Sequence, residues 1–372
     1  MSPTSQSPIL PADPDQRLIE VIADAITDAG GWLGFDRFMA LALYSPSLGY
    51  YANDSRKFGL MPSGGSDFVT APELSPRFGQ TLARQVGQAL QATGTHEVWE
   101  FGAGSGALAQ QVLAALGEQV QRYTIVDLSG SLQARQRELL AAYGDRVQWV
   151  SELPAQMRGV VLGNEVLDAM PVKLLVRLGG QWHERGVALH DGRFTWADQP
   201  TPLRPPVEID SDHDYLTEIH PEAEGFVRTL ADRLVQGAAL FIDYGFPEAE
   251  YYHPQRHMGT VMCHRAHQSD ADPLADVGLK DITAHVNFTG IALAAQEASL
   301  QVLGYTSQGR FLLNCGVVDG MEGASPAERS MVQKLINEHE MGELFKVIAF
   351  GAKDSLAWEP LGFCAGDRTH TL

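Results

Sequence analysis

Residues 100–109, EFGAGSGALA, decide the fold of this 372-residue chain. An apolar segment ends in an acidic residue, three glycines alternate, and an amphipathic run begins, which is the pattern of a strand, a tight turn and a helix. Gly102, Gly104 and Gly106 carry no Cβ, so the backbone can take left-handed dihedrals and a ligand can lie against the main chain. About twenty residues further on, residues 123–127 (YTIVD) read as a second apolar strand ending in a carboxylate, where an open α/β sheet holds the hydroxyls of a ribose. The two features predict a nucleoside-containing cofactor with Asp127 at its ribose; a helix-capping role for Asp127 is the competing assignment.

Outward from this turn, strands are expected at 97–101, 123–127, 147–150 and 159–163, with helices at 107–116 and 131–143 between the first three. The pattern is a doubly wound, Rossmann-like α/β sheet. Upstream, apolar residues at helical spacing predict helices over 16–29 and 35–44, and the Gly-, Pro-, Ser- and Asp-rich stretch 45–78 is long enough for a functional loop. Downstream, Gly179-Gly180 and Asp191-Gly192 signal hairpins, so residues 174–219 are expected to form an antiparallel β insertion. The main sheet then resumes with a helix at 222–235 and a strand at 238–244, helices near 291–303 and 328–339, and strands near 308–313 and 345–350. The expected division is a disordered tail (1–15), a helical and lid segment (16–80), a first sheet portion (81–173), the insertion (174–219), a second portion (220–352) and a C-terminal tail (353–372).

The chain carries 46 Asp and Glu against 27 Lys and Arg, a net charge of −19. That balance disfavours a phosphate backbone as partner and suits a basic one. Three widely spaced cysteines imply a reducing compartment without a disulfide framework. The first fifteen residues lack a basic or apolar leader, and no apolar run reaches the length of a membrane span, so a cytoplasmic protein without membrane insertion is expected.

The spacing of Gly102, Gly104 and Ala107 also fits the loose dinucleotide pattern, which leaves an NAD(P)-dependent oxidoreductase open. Glu100 favours S-adenosylmethionine, because a carboxylate beside the first glycine accepts hydrogen bonds from an ammonium and repels a pyrophosphate. Further segments, in order, are Gly49-Tyr50-Tyr51, 65–79 (GSDFVTAPELSPRFG), 164–172 (NEVLDAMPV), 242–245 (IDYG), 259–267 (GTVMCHRAH) and 281–289 (DITAHVNFT). With EFGAGSG, they resemble the MidA-like family of S-adenosylmethionine-dependent methyltransferases over roughly residues 16–351. Mitochondrial members of that family are protein arginine methyltransferases that assist respiratory complex I assembly. The resemblance therefore implies a methyltransferase acting on arginine in a protein partner, with a respiratory complex subunit as the candidate; a scaffold that retains the cofactor fold is the alternative. One departure is Asn287, where the family usually has Asp.

Gly102, Gly104 and Gly106 would approach the cofactor, Glu100 its amino group and Asp127 its ribose, with Asn164 beside them. A lid at 65–75 would add the Thr70 and Ser75 hydroxyls, an apolar wall from Phe68 and a carboxylate from Glu73. Glu165 and Asp168, past the fourth strand, are candidates for gripping a planar guanidinium bidentately. A neutral His285 would accept a proton from the methylated nitrogen or hold its loop in place. Cys263, His264, His267 and His285 lack the paired spacing of a zinc site, and methyl transfer needs no metal.

Overall fold

The computed structural model describes residues 14–53, 69–127, 129–353 and 358–372. Most of the expected tail at 1–15 and the first part of the expected lid, 65–68, lie outside the described residues. Helix α1 (Pro14–Asp28), a short strand β1 (Leu33–Gly34) and helix α2 (Phe35–Tyr44) open the described chain. A single turn α3 (Ala71–Leu74) leads into α4 (Pro76–Thr93), which starts at a Ser75 cap and stops at Gly94 in the left-handed conformation, φ 62°.

The strand–turn–helix reading holds residue for residue: β2 spans Glu97–Phe101 and α5 spans Ala107–Leu116. Then follow β3 (Arg122–Val126), α6 (Gly130–Leu139), β4 (Val147–Val150) and β5 (Met157–Asn164). Helix α6 stops short of the expected residue 143, giving way to a tight helical turn over Ala141–Arg146 that contains Gly144 at φ 55°. The insertion contributes β6 (Lys173–Leu178), β7 (Gln181–His190), β8 (Arg193–Pro200) and β9 (Tyr215–Ile219). Its antiparallel sheet also takes in β1, which pairs with the β7 residues beyond the end of β6, so the N-terminal segment is stitched to it.

After α7 (Pro221–Arg233), the long strand β10 (Leu234–Phe246) returns to the main sheet. The turn α8 (Glu248–Tyr251) and three short strands β11 (Met262–Arg265), β12 (Gln268–Asp270) and β13 (Asp281–Thr283) form a small separate sheet region that sequence reading did not foresee. The chain continues through β14 (Val286–Asn287), α9 (Phe288–Glu297), β15 (Gln301–Ser307), α10 (Gln308–Asn314), α11 (Pro326–Ile336), α12 (Met341–Leu344) and β16 (Phe345–Gly351).

The main sheet has the order β15-β16-β10-β5-β2-β3-β4, with β14 beside β10. From β10 to β4 neighbouring strands are parallel, and β16 runs against both of its neighbours. Both faces are covered, as parallel strands require. In β2, Val98 faces the core with α4 and α5, while Trp99 and Phe101 face the other core with α7 and α9. A third core joins α1 and α2 to the insertion.

One strand expectation fails. Residues 308–313 form helix α10 because Ser307 caps it, its Oγ accepting from the Arg310 N–H at 3.4 Å, and the strand lies one segment earlier. The described part of the C-terminal tail is packed onto the sheet. Phe363 meets Phe311 edge to face with ring centres 5.5 Å apart, Asp367 accepts the Tyr305 N–H at 3.0 Å, and the Arg368 N–H donates to the Tyr305 carbonyl at 2.6 Å.

Candidate active site

At the carboxyl ends of the parallel strands lies a cavity of about 1420 Å³. A pocket for one small ligand occupies roughly 300–1,000 Å³, so this space suits two reactants. Thr70, Glu100, Gly102, Gly104 and Asp127 line it, and so do Asn164, Glu165, Asp168 and His285. Gly106 and Ser75 do not. Gly106, at φ 85°, ends the turn and precedes α5, while buried Ser75 accepts from the Arg77 N–H at 3.3 Å as the cap of α4.

On the first wall the turn takes left-handed dihedrals at Gly102 (φ 59°) and Gly104 (φ 54°). A Cβ on Gly102 would stand 3.2 Å from the Val166 methyl. Glu100 is buried and its Oε2 accepts the Tyr123 hydroxyl at 2.6 Å. Burial pushes its carboxyl up to about 7; the Tyr123 hydrogen bond opposes that shift and the Asp127 charge adds to it. Asp127 accepts from the Ser129 N–H and from the Gln136 amide, each at 2.8 Å, while Ser129 itself caps α6.

Gln136 is a residue that sequence reading missed. Fully buried, it donates from Nε2 to both the Gly104 carbonyl (2.9 Å) and Asp127, and its Oε1 accepts from Trp149 at 2.9 Å. One amide thereby locks the glycine turn to the carboxylate after the second strand. The signal was only a glutamine on a helix of otherwise polar character.

The opposite wall is acidic. β5 ends at Asn164, and Glu165 follows in the left-handed region at φ 54°, a conformation that costs a non-glycine residue about 1–2 kcal/mol. The next turn hangs on Asp243, whose Oδ2 accepts the N–H groups of Val166 (3.1 Å), Leu167 (2.8 Å) and Asp168 (3.2 Å). Asn164 donates to Glu165 at 3.1 Å, and Tyr51 donates to both oxygens of Asp281 at 2.9 and 2.8 Å. The Tyr44 ring stacks 5.6 Å from Tyr51. Burial, then the Asp168 charge, pushes Glu165 up to about 8, although the Asn164 hydrogen bond pulls the other way. Burial lifts Asp168 to about 6 against a hydrogen bond from Tyr244. Among the described residues, neither Glu165 nor Asp168 forms an ion pair with a Lys or Arg, and Asp168 Oδ1 is buried without a hydrogen-bond partner.

His285 faces the same cavity with its backbone fixed at both ends. Its N–H donates to Thr260 Oγ1 at 3.0 Å and its carbonyl accepts from His220 at 2.9 Å. Burial, with Arg256, Lys346 and His220 nearby, depresses the imidazole to about 4, so it is neutral at pH 7. Asn287 does not line the cavity: its side chain caps α9 by accepting from the Gly290 N–H at 3.3 Å. An amide caps as well as a carboxylate, which accounts for the departure from Asp. Among the described residues, no cluster of three or more His, Cys, Asp or Glu could hold a metal ion, and no helix is long and apolar enough to cross a membrane.

This parallel sheet, with a glycine turn after its inner strand β2 and a cavity that suits two reactants above it, defines an α/β enzyme of the nucleoside-cofactor type. The chain belongs to a family of S-adenosyl-L-methionine-dependent methyltransferases, which matches residues 81–306. A structure from Burkholderia thailandensis, solved with S-adenosyl-homocysteine bound, is 49% identical, covers 99% of this chain and 100% of its own, and superposes with a TM-score of 0.92. A native structure from the same organism is 48% identical over 99% of this chain and all of its own, TM-score 0.87. Protein arginine methyltransferase NDUFAF7, mitochondrial, from Danio rerio is 28% identical over 86% of this chain and 83% of its own length. The Homo sapiens protein of that name is 26% identical over 84% and 78%.

The cofactor is thus S-adenosylmethionine, and the oxidoreductase alternative falls away. The wall residues fit it: the turn presents bare backbone, Glu100 and Asp127 face the cavity, and Asn164 Oδ1 is buried with no hydrogen-bond partner. The cytoplasmic expectation is overturned, since the curated relatives are named mitochondrial. Unpaired cysteines separate reducing from oxidising compartments and do not distinguish one reducing compartment from another.

Proposed function

We propose that this enzyme methylates arginine in a protein partner, and that Glu165 and Asp168 hold the acceptor. The observation that carries this reading is an acidic wall, with Asp168 buried and Glu165 half-buried, in which neither has a basic ion-pair partner among the described residues, facing the glycine turn across one cavity. Such a wall is costly until a cation enters it. A guanidinium supplies that charge in a plane that two carboxylates can grip. Its positive charge favours the ionised form of Glu165, coupling acceptor binding to loss of a proton.

In this reading Glu100, Gly102, Gly104, Asp127, Thr70 and Asn164 hold S-adenosylmethionine, which when bound supplies an electrophilic methyl group. The chain's own residues then supply position: the acidic pair fixes one nitrogen of the acceptor for an in-line approach. The proton released by that nitrogen passes to Asp168, Glu165 or the neutral ring of His285. The named activity of the mitochondrial relatives supports arginine as acceptor, and the family resemblance supports a respiratory complex subunit as the partner.

The test is incubation of the protein and S-adenosylmethionine with a lysate from a strain lacking the enzyme, followed by mass spectrometry. Methylarginine at a defined site of one protein is the expected result. Methylation confined to another side chain or to a small molecule overturns the proposal.

A further inference from the structure

The inserted sheet reaches the cavity through one carboxylate. Glu218 on β9 is fully buried, and among the described residues no Lys or Arg forms an ion pair with it. Its Oε1 accepts the N–H groups of Thr260 (2.7 Å) and Val261 (3.2 Å), and its Oε2 accepts the Tyr251 hydroxyl at 2.9 Å. Thr260 is the residue whose hydroxyl receives the His285 N–H. Two residues earlier on β9, the Leu216 N–H donates to the His257 carbonyl at 2.9 Å. The strand therefore pins the segment 255–262, every residue of which lines the cavity.

The fit is close at Gly259. It sits at φ 72°, and a Cβ there would stand 2.6 Å from Glu218 Oε1. Burying a carboxylate without a counter-cation costs several kcal/mol unless hydrogen bonds offset it. Here the offsetting donors come mainly from a loop that builds cavity wall. At the tip of that loop Met258 is 77% exposed, and Met262 (36%) and Leu344 (43%) stand exposed on the same cavity. A rigidly held loop ending in polarizable, adaptable thioethers suits a polypeptide of variable contour.

We propose that the segment 255–262 is the lip on which the acceptor polypeptide rests beside its methylated side chain, and that Glu218 is the positioning residue that sets it. The lip takes an extended stretch of the acceptor whose apolar side chains cover Met258 and Met262 while its cation enters the acidic wall. This rests on the reading of the acceptor as a protein.

The test compares the wild type with Glu218→Gln, Gly259→Ala and Met258→Ala, measuring S-adenosyl-homocysteine affinity, acceptor KM and kcat on a methylated-site peptide, and amide exchange. Losing the charge-assisted bonds at Glu218 should raise acceptor KM about tenfold, with kcat and cofactor affinity within about twofold. Exchange should speed up at Thr260 and Val261 and stay confined to the lip. Gly259→Ala, which displaces the loop from outside the core, should do the same and decides the matter where Glu218→Gln fails to fold. Met258→Ala should raise KM about threefold without changing exchange, as expected of a contact residue losing part of its buried area. A loosened lip with unchanged KM, or unchanged exchange in both lip variants, overturns the proposal. If the wild type turns over no arginine peptide, the arginine reading fails and the docking role falls with it, while exchange still decides whether Glu218 sets the loop.

Discussion

The two walls of the cavity are built by opposite strategies. The wall that carries the glycine turn comes from one continuous stretch of chain, in which the turn, a carboxylate and one amide from the next helix lock together within 32 residues. The acidic wall is assembled from distant parts of the chain: Tyr51 meets Asp281 across 230 residues, and Asp243 reaches back 75 to 77 residues to hold the turn containing Asp168. The first wall also buries carboxylates, Glu100 and Asp127, but takes its shape from a glycine turn, whereas the second gathers its charges from separate parts of the chain. Backbone shape is therefore the quantity most easily broken on one side, and the convergence of charges on the other.

That contrast is broken most severely at Gly104. Its φ of 54° is a region that a β-branched residue scarcely enters, and its carbonyl is the acceptor for Gln136. Gly104→Val should weaken S-adenosyl-homocysteine binding by more than about 100-fold, equivalent to roughly 2.7 kcal/mol, while thermal melting still reports a folded chain. Retained affinity would remove the turn from the cofactor wall.

Glu165→Gln sharpens the difference from the other side. It keeps shape and removes charge, so turnover should fall about ten- to hundred-fold, the loss of one charge-assisted contact of roughly 1.5–3 kcal/mol. Cofactor affinity should barely move. In the wild type, acceptor kcat/KM should climb as pH rises toward about 8, where Glu165 ionises, and the variant should lack that limb. A variant that loses cofactor affinity instead would transfer Glu165 to the first wall.

The same substitution should affect stability with the opposite sign. Between the ordinary value of 4.5 and about 8, folded Glu165 retains a proton that the unfolded chain has lost, so wild-type stability falls as pH rises through that window. Glu165→Gln escapes this dependence. It should be more stable than the wild type at pH 7 by up to about 3 kcal/mol, at roughly 1.36 kcal/mol per pH unit, with the gap closing near pH 4.5. Urea midpoints at the two pH values measure it; a variant less stable at pH 7 would mean Glu165 is held as the anion.

How far each wall was legible follows from how it is made. The glycine turn and both flanking strands could be read because their determinants are adjacent in sequence and their alternation is strict. Gln136 could not, since its partners are set by where α6 lies on the sheet. Asp281, Asp243 and Tyr51 sit in motifs that were noticed, yet no local pattern said that they would converge with Glu165. Residues 308–313 (QGRFLL) misled because so short a segment shows no period of its own, and the serine cap that decides for a helix lies just outside it. Where the C-terminal tail packs was not legible either, because Phe363 docks where Gly304 leaves room, a contact between distant residues: a Cβ on Gly304 would stand 2.3 Å from that ring.

The smallest expected effect lies where the two walls meet. Val69, Thr70 and Pro72 line the cavity just ahead of α4, and the short helix α3 is closed by a reciprocal cap between Thr70 and Glu73. A segment with one turn of helix and a face on the cavity opens more readily than the buried strands beside it. Cofactor binding should therefore raise hydrogen-exchange protection over residues 69–75 by a few-fold, with β2 and β5 changing less, because a ligand stabilises the state that covers it. Glu165→Gln should leave this gain intact, since the amide keeps an oxygen that can accept from Asn164 and removes only the charge. Gly104→Val should abolish it. Protection that survives in Gly104→Val, or that is lost in Glu165→Gln, would mean that the segment answers to the acceptor wall and that the two halves of the cavity are not separable.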